Sequence, residues 1–410
     1  MKTIKKITIT VLLLSSSLLS AQESLNIYLE KAAQSSPELK ARFNDYMAAL
    51  EKVPQTKALP DPQLAFSWFI SPVETRMGPQ QLKLSLSQFF PWFGTLRARE
   101  NAAIENARAR YELFEETRSA LFKDIKGLYY NLYFFSRSID LIKDNIELLE
   151  LIGKLAEVKI EAGLVSIVDE YRIRMEINDL NNQLSLLDDK YSSLGTEFRN
   201  TVGDDNIGQI ILPDALWLTD FPLSRSSALD SVLSGNHSLL SLEFRQAARE
   251  YEKEAAEKAG FPDFRIGLDY IVTGSGDDNL PGKDAFAFPS VGISIPLYRN
   301  KYKAMVNEAA YREKASRNEA DNRVNALETL FENAWRDYRD ADRRIRLNES
   351  QADLADSSLR LLQDQYSTNS TNFEEILRME RRLLKYKLEF EKARADKQAA
   401  IAFIYYLMGK

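Results

Sequence analysis

The sequence predicts a mainly helical chain that also carries the strands of a membrane β-barrel, in the order helix, β-hairpin, very long helix, helix, stated twice. Three observations predict it. The segments around two hairpins answer one another: Leu59-Pro60-Asp61-Pro62-Gln63-Leu64 against Phe261-Pro262-Asp263-Phe264-Arg265-Ile266, and Leu84-Ser85-Leu86-Ser87 against Val291-Gly292-Ile293-Ser294. Asn101-Ala102-Ala103 likewise answers Glu308-Ala309-Ala310, and Tyr28 to Pro37 aligns with Leu229 to Ser238. Apolar seams of alternating three- and four-residue spacing run for many turns, and shorter runs alternate apolar with small or polar residues. The expected divisions are 1–21, a signal peptide; 22–202, the first repeat; 203–225, a joining segment; and 226–410, the second repeat.

The N-terminal stretch has the three parts of a secretory signal: Lys2, Lys5 and Lys6, an apolar run from Ile7 to Leu19, then Ser20-Ala21-Gln22 with small residues for cleavage. That run is too short for a membrane anchor, which needs roughly 20 apolar residues. Removing the three lysines would move the formal net charge from -6 to about -9. A chain so acidic, without a concentrated basic stripe, argues against nucleic acid as a partner. It has no cysteine, so neither a lipidated N-terminal Cys nor a disulfide framework is available.

The first long helix is expected over about 97–159. Its seam runs from Ile104 through Ala107, Tyr111 and Phe114 to Ile125, Leu132, Ile142, Leu149 and Ala156, broken only by Arg118 and Gly153. The second, over about 302–366, runs from Val324 through Leu327, Phe331, Ala334, Tyr338, Ala341 and Ile345 to Leu359 and Tyr366, with Asn348 its one polar member. Neither contains a proline. Some 60 residues at about 1.5 Å each give a rod on the order of 90 Å, a spacer rather than a domain core. Each rod ends in a turn, Glu161-Ala162-Gly163-Leu164 or Ser367-Thr368-Asn369-Ser370, and Gly and Asn tolerate the left-handed conformation at a helix end. The shorter helices before each hairpin and after each turn would, end to end, match one long helix, giving four rods per chain.

Strands are expected over about 63–70, 81–90, 263–273 and 286–297. Leu64, Phe66, Trp68 and Ile70 alternate with Gln63, Ala65 and Ser67, and Leu82, Leu84 and Leu86 alternate with Lys83, Ser85 and Ser87. The second repeat sets Phe264, Ile266, Leu268, Tyr270 and Val272 against Arg265, Gly267 and Asp269, then Val291 and Ile293 against Gly292 and Ser294, with a parity shift at Pro289. This is the signature of a transmembrane barrel facing outer-membrane lipid, and Trp68, Phe89, Phe90, Trp92 and Tyr298 suit its aromatic girdle. A soluble sheet packed on helices is the alternative. Four strands cannot close, and lipid does not tolerate open edges, so the chain is expected to self-associate. A homotrimer with twelve strands is the smallest assembly that suits a narrow pore.

With these residues in place, the mature sequence resembles the TolC-like outer-membrane efflux factors. The turn Gly163-Leu164-Val165-Ser166-Ile167-Val168-Asp169 is similar to that family's periplasmic tip, with Tyr366-Ser367-Thr368-Asn369-Ser370-Thr371-Asn372-Phe373-Glu374-Glu375 as its partner. Pro60-Asp61-Pro62, Phe69-Ile70-Ser71-Pro72-Val73-Glu74-Thr75-Arg76 and Leu86-Ser87-Gln88-Phe89-Phe90-Pro91-Trp92-Phe93-Gly94 look like the subset serving heavy-metal pumps. The resemblance implies a homotrimer whose twelve-stranded barrel in the cell outer membrane continues as a twelve-helix α-barrel across the periplasm. It implies a passive exit duct of a tripartite efflux pump, with a periplasmic adaptor and an inner-membrane transporter as partners and heavy-metal cations as cargo. The hairpin tips, Ser71 to Gln80 and Gly274 to Ala285, would face outside, and the joining segment, with a strand at Gln209 to Leu212, would be equatorial.

The resemblance also assigns the periplasmic entrance. Glu375 falls on the first acid of the family's constriction, whereas the second acid position is Arg378 here. Asp169 holds the matching place after the first tip, and Glu374 adjoins Glu375. Tyr366 matches a latch tyrosine, while the latch arginine falls on Thr371. Gly163, Leu164, Val165, Ser166, Tyr366, Asn369, Ser370 and Thr371 are the expected latch and adaptor-contact residues. The plain alternative is that Glu374, Glu375 and Asp169 serve the helix dipole at two N-termini, and that the tips are ordinary turns.

Enzymatic readings are excluded on composition. His237 is the only histidine, set in Gly235-Asn236-His237-Ser238, where a helix-ending or linker role is expected. Without cysteine, a zinc site of the usual ligands or a His-based triad has too few parts. Met47, Met77, Met175, Met305, Met379 and Met408 are scattered, and Asp277-Asp278 lies in a Gly/Asp-rich loop. No cofactor or resident metal is expected. A periplasmic adaptor would have one helical hairpin flanked by β modules, and a coiled-coil structural protein of the envelope would lack the aromatic strands; both stay open as alternatives.

Overall fold

The computed structural model describes residues 25–204, 207–217, 219–275, 282–368 and 373–410. The expected signal peptide, Asp277, Asp278, and the tip residues Asn369, Ser370 and Thr371 lie outside the described residues. The elements are α1 (25–35), α2 (Pro37–Lys57), β1 (Gln63–Val73), β2 (Gln80–Phe90), α3 (Thr95–Glu161), α4 (Ile167–Val202), α5 (Arg225–Gly235), α6 (His237–Lys258), β3 (Asp263–Thr273), β4 (Ala285–Ser294), α7 (Arg299–Thr368) and α8 (Phe373–Leu407). They divide into two compact units, one of Ala41–Phe114 with His237–Val324, the other of Met1–Lys40, Glu115–Asn236 and Asn325–Lys410.

In the first of these units the strands form one antiparallel sheet in the order β1-β2-β3-β4, so the β2–β3 pairing joins the hairpins of the two repeats. Register places apolar residues in rows: Leu64–Leu86–Leu268, Phe66–Leu84–Tyr270 and Trp68–Leu82–Val272. The other face carries Ala65–Ser85–Asp269 and Gln63–Ser87–Gly267–Ser290. Gly267 is needed there because a Cβ would meet Ser290 Oγ at 2.7 Å. The β3–β4 register shifts between Gly267 and Asp269, opposite Phe288-Pro289, as expected for an imino acid that cannot donate to the ladder. β4 stops at Ser294 rather than 297 because the chain folds on itself there, the Leu297 N–H donating to the Ile295 carbonyl at 2.9 Å. Below the sheet, α3 packs through small residues, Ala98, Ala102, Ala103 and Ala107, and Ser241 of α6 donates to the Ala109 carbonyl at 3.0 Å. His237 opens α6, with its Nδ1 2.7 Å from Glu112 Oε2.

The second unit is helical and has two apolar cores. One gathers Ile125, Tyr129, Leu132 and Tyr133 of α3 with Tyr28 of α1, Phe198 of α4 and Ile210 and Leu216 of the joining segment. The other gathers Ile142 and Leu149 of α3, Ile173 and Leu180 of α4, Leu359 of α7 and Ile376 and Leu383 of α8. The α7 seam is buried at Leu327, Phe331, Ala334, Tyr338, Ala341, Ile345 and Asn348. On α3, Tyr129, Tyr130 and Tyr133 are buried off the expected seam because the joining segment wraps them.

Residues 209–212 form no strand, contrary to the expectation from sequence. Their backbone groups are taken by side chains: the Ile211 N–H donates to Tyr28 Oη at 3.1 Å, and Tyr129 Oη donates to the Ile211 carbonyl at 3.0 Å. A row along α8 holds the rest of this segment. Arg394 donates to the Leu216 carbonyl and Gln398 to the Trp217 carbonyl, while Lys397, 3% exposed, bridges Asp220 at 2.8 Å and Asp342 of α7 at 2.9 Å. Burial alone would lower the Lys397 pKa, but the two carboxylates outweigh it and hold the ammonium above its ordinary value.

Candidate entrance and membrane face

The end of the helical unit is built from two helix starts and one glycine. α3 closes with Gly163 at φ +73, the Gly163 N–H donating to the Ile160 carbonyl and the Leu164 N–H to the Lys159 carbonyl, each at 2.9 Å. This pair of bonds is the Schellman arrangement, in which glycine avoids a Cβ penalty. Two residues later Ser166 caps α4, its Oγ accepting from the Val168 N–H at 3.2 Å. Asp169 and Glu170 occupy the first turn of α4, and Glu374 and Glu375 that of α8, where acids meet the positive helix end. Leu164 is exposed and Val165 half-buried against the tip core.

The acids at this end are paired with arginines. Asp169 lies 3.3 Å from Arg172, whose guanidinium also reaches Glu374 of α8 at 3.6 Å. Glu375 pairs with Arg378, and Arg381 of α8 donates to Glu176 of α4 at 2.7 Å. Arg378 therefore neutralises Glu375. Tyr366 is buried, its ring 5.4 Å from Phe373 and beneath the Lys159 ammonium at 4.3 Å, and Lys159 also donates to the Tyr366 carbonyl. Burial, and secondarily Asp169, raises the Tyr366 phenol, so it stays protonated. The structure thus brings Asp169, Glu374, Glu375 and Tyr366 to one end of the unit.

Sequence reasoning missed three features here: Arg172 and Arg381 as links between α4 and α8, and Lys159 as the partner of Tyr366. None has a pattern of its own, because an arginine on a helix face looks the same whether it meets solvent or a neighbour. It also missed a line on α7, Leu347, Leu354 and Leu361, all exposed. Their seven-residue spacing was a readable signal, parallel to the buried seam. On α4, Val168, Tyr171 and Met175 form a second exposed strip.

In the sheet unit, the apolar face is bare: Leu64 is 73% exposed, Trp68 74% and Ile70 96%, with Val291 and Ile293 exposed as well. Residues this apolar are not left in water in such number without a partner phase. On the opposite face Lys83 pairs with Asp269 at 2.7 Å. Among the expected girdle residues, Trp68 lies on the bare face, Phe89 lies beneath the Arg265 guanidinium at 5.9 Å, Phe90 pairs in register with Phe264, and Tyr298 is exposed beyond β4. Trp92 stacks on Phe261 and Phe264 with centroids at 5.1 and 5.7 Å, while its backbone N–H donates to Asp263 Oδ1 at 3.1 Å. No helix among the described residues is long and apolar enough to cross a membrane, and no group of three metal-ligating side chains is assembled among them.

Residues 28–197 match the family model described as Outer membrane efflux protein. No curated protein matches the chain. Among solved structures, the outer membrane protein VceC from Vibrio cholerae is similar over 95% of this chain and 97% of its own, with TM-score 0.78 and 18% identity. CusC, described as forming a transmembrane channel, is similar over 94% of this chain and 92% of its own, with TM-score 0.78 and 15% identity. The Campylobacter jejuni CmeC outer membrane channel is similar over 94% and 86%, with TM-score 0.75 and 14% identity.

Proposed function

Because residues 28–197 match the outer membrane efflux protein family model, we propose that the chain is a member of that family and the outer-membrane exit duct of a tripartite efflux pump. One observation carries this reading most: a four-stranded sheet with both edges unpaired and one face bare and apolar. In lipid, such a sheet is stable only when its edges close on others of their kind. Three copies, β1 of one against β4 of the next, make a twelve-stranded barrel with the Leu64, Trp68 and Ile70 face outward. The exposed leucines of α7 and the Val168-Tyr171-Met175 strip of α4 are then the helical surfaces that meet between chains, a heterologous contact that closes as a ring.

The duct is passive and needs no cofactor. Its strands lie in the outer membrane and its helices in the periplasm, reached through the signal peptide of residues 1–21. The tip after α3, with Gly163, Leu164, Val165 and Ser166, is the surface offered to a periplasmic adaptor and, through it, an inner-membrane transporter. Glu374, Glu375 and Asp169 surround the entrance as arginine-paired acids, so it presents a ring of ion pairs rather than bare carboxylates. Heavy-metal cations are the cargo suggested by the stretches from Pro60 to Gly94, and metal tolerance of a deletion strain tests that choice. Fractionation tests the duct itself: the protein is expected in outer membranes as a heat-sensitive trimer, and a soluble periplasmic monomer would overturn the reading.

A further inference from the structure

In the core between the joining segment and the tip lies a carboxyl group with no ion pair among the described residues. Glu380 of α8 is 4% exposed, on the stretch of α8 that gives Leu377 and Leu383 to the core shared with Ile142 and Leu149 of α3 and Leu359 of α7. Its Oε1 accepts from Asn145 Nδ2 of α3 at 2.5 Å, and its Oε2 is buried with no hydrogen-bond partner. The other buried acids of this unit are treated differently: Glu391 is met by Tyr133 at 2.6 Å and by Arg394, and Glu115 by Arg118.

None of the charged groups around Glu380 is bonded to it. On α8, Lys387, two turns along, acts on it only through its field, and Arg381 is taken by Glu176 of α4. On α7, Asp356 faces it with the same sign of charge and is paired with Arg360 at 2.7 Å. On α3, Asp144 and Glu147 are exposed, leaving Asn145 as the polar contact. An amide cannot neutralise a carboxylate, so the ionised form would place in an apolar seam a charge with no directly bonded counter-ion.

We propose that Glu380 is a proton-dependent catch between α8 and α3: the packing holds the uncharged acid, and loss of its proton parts the two helices on the tip side of the joining segment. Burial pushes the carboxyl above the ordinary glutamate range, with Lys387 and Asn145 pulling it down and Asp356 adding to the rise. A group raised in the folded state favours the packing most at pH below the ordinary value, and that advantage is lost as pH climbs through the raised one. The step is a simple ionisation, the proton passing to water as the seam opens. The consequence for transport, a tip that loosens as pH rises, rests on the duct reading; the catch does not.

The test is amide hydrogen exchange on the full chain in lipid vesicles between about pH 5 and about pH 8, corrected for intrinsic exchange rates. Protection in segments 139–156 and 373–390 is expected to fall by about tenfold across that range in the native chain and to stay at its acid value in Glu380→Gln. Glu380→Met, which keeps the volume without a proton to lose, is expected to behave as the amide does and serves if the latter folds poorly. A native profile that is flat, or one that both variants reproduce, would overturn the proposal. Bilayer conductance of the same samples is expected to rise with pH in the native chain alone. Exchange that follows the expectation without any channel in bilayers would keep the catch and reject the duct.

Discussion

Arg378 settles the electrostatic character of the tip more than any acid there does. It pairs with Glu375 within the first turns of α8, and Arg172 similarly spans Asp169 and Glu374. Exposed pairs of this kind contribute little to stability, about 0–1 kcal/mol, so their effect is on the local field. Arg378→Ala is therefore expected to leave the fold intact and raise the cation preference of reconstituted channels by about twofold, since a ring of freed carboxylates concentrates cations. Glu375→Ala, which frees the Arg378 guanidinium instead, is expected to lower cation preference by a comparable factor, and reversal potentials in a salt gradient measure both. These acids were legible in the sequence by their place after each tip. Arg378 and Arg172 stand one turn from Glu375 and Asp169 on their own helices, but the reach of Arg172 to Glu374 was not legible, because it joins α4 and α8 across about 200 residues of chain.

Alternation along the strands is the best-read feature at the level of elements, because a strand turns its side chains to opposite faces with period two whatever surrounds it. The sheet bears this out row by row, from Leu64–Leu86–Leu268 to Trp68–Leu82–Val272. In the proposed barrel a charge on this face meets hydrocarbon. Phe66→Lys, in the middle of the three rows, is expected to cost about 2–4 kcal/mol of stability, measured by denaturant unfolding from lipid vesicles. Ser67→Lys, one residue away on the face of Lys83, is expected to cost far less. Helix interiors were also legible, from a seam that needs no tertiary knowledge. The α3 seam alone did not foresee that Tyr129, Tyr130 and Tyr133 would be buried, nor that residues 209–212 would trade a strand for hydrogen bonds to tyrosines.

At the scale of the whole molecule, duplication explains why a chain of 410 residues has two hairpins in one sheet and two helices of 67 and 70 residues. The repeats supply strands but no closure, and exposed apolar lines but no cover within the chain. Leu354→Glu and Leu361→Glu are expected to weaken the proposed trimer, seen as loss of the slow-migrating, heat-sensitive band on gels, without changing helix content by circular dichroism. An unchanged band would place the contact between chains elsewhere than on the α7 line.

By itself the sequence determined the order of elements, the duplication, the apolar face of the sheet and the helix ends at Gly163 and Ser166. All of these follow from local periodicity and backbone preference, which act over a few residues. Only the tertiary structure decided which groups meet across helices: Arg172 with Glu374, Lys397 between Asp220 and Asp342, and Glu380 facing a lone amide. Whether a charge is solvated, paired or stranded depends on what packs against its helix, and helical periodicity carries no record of the neighbour.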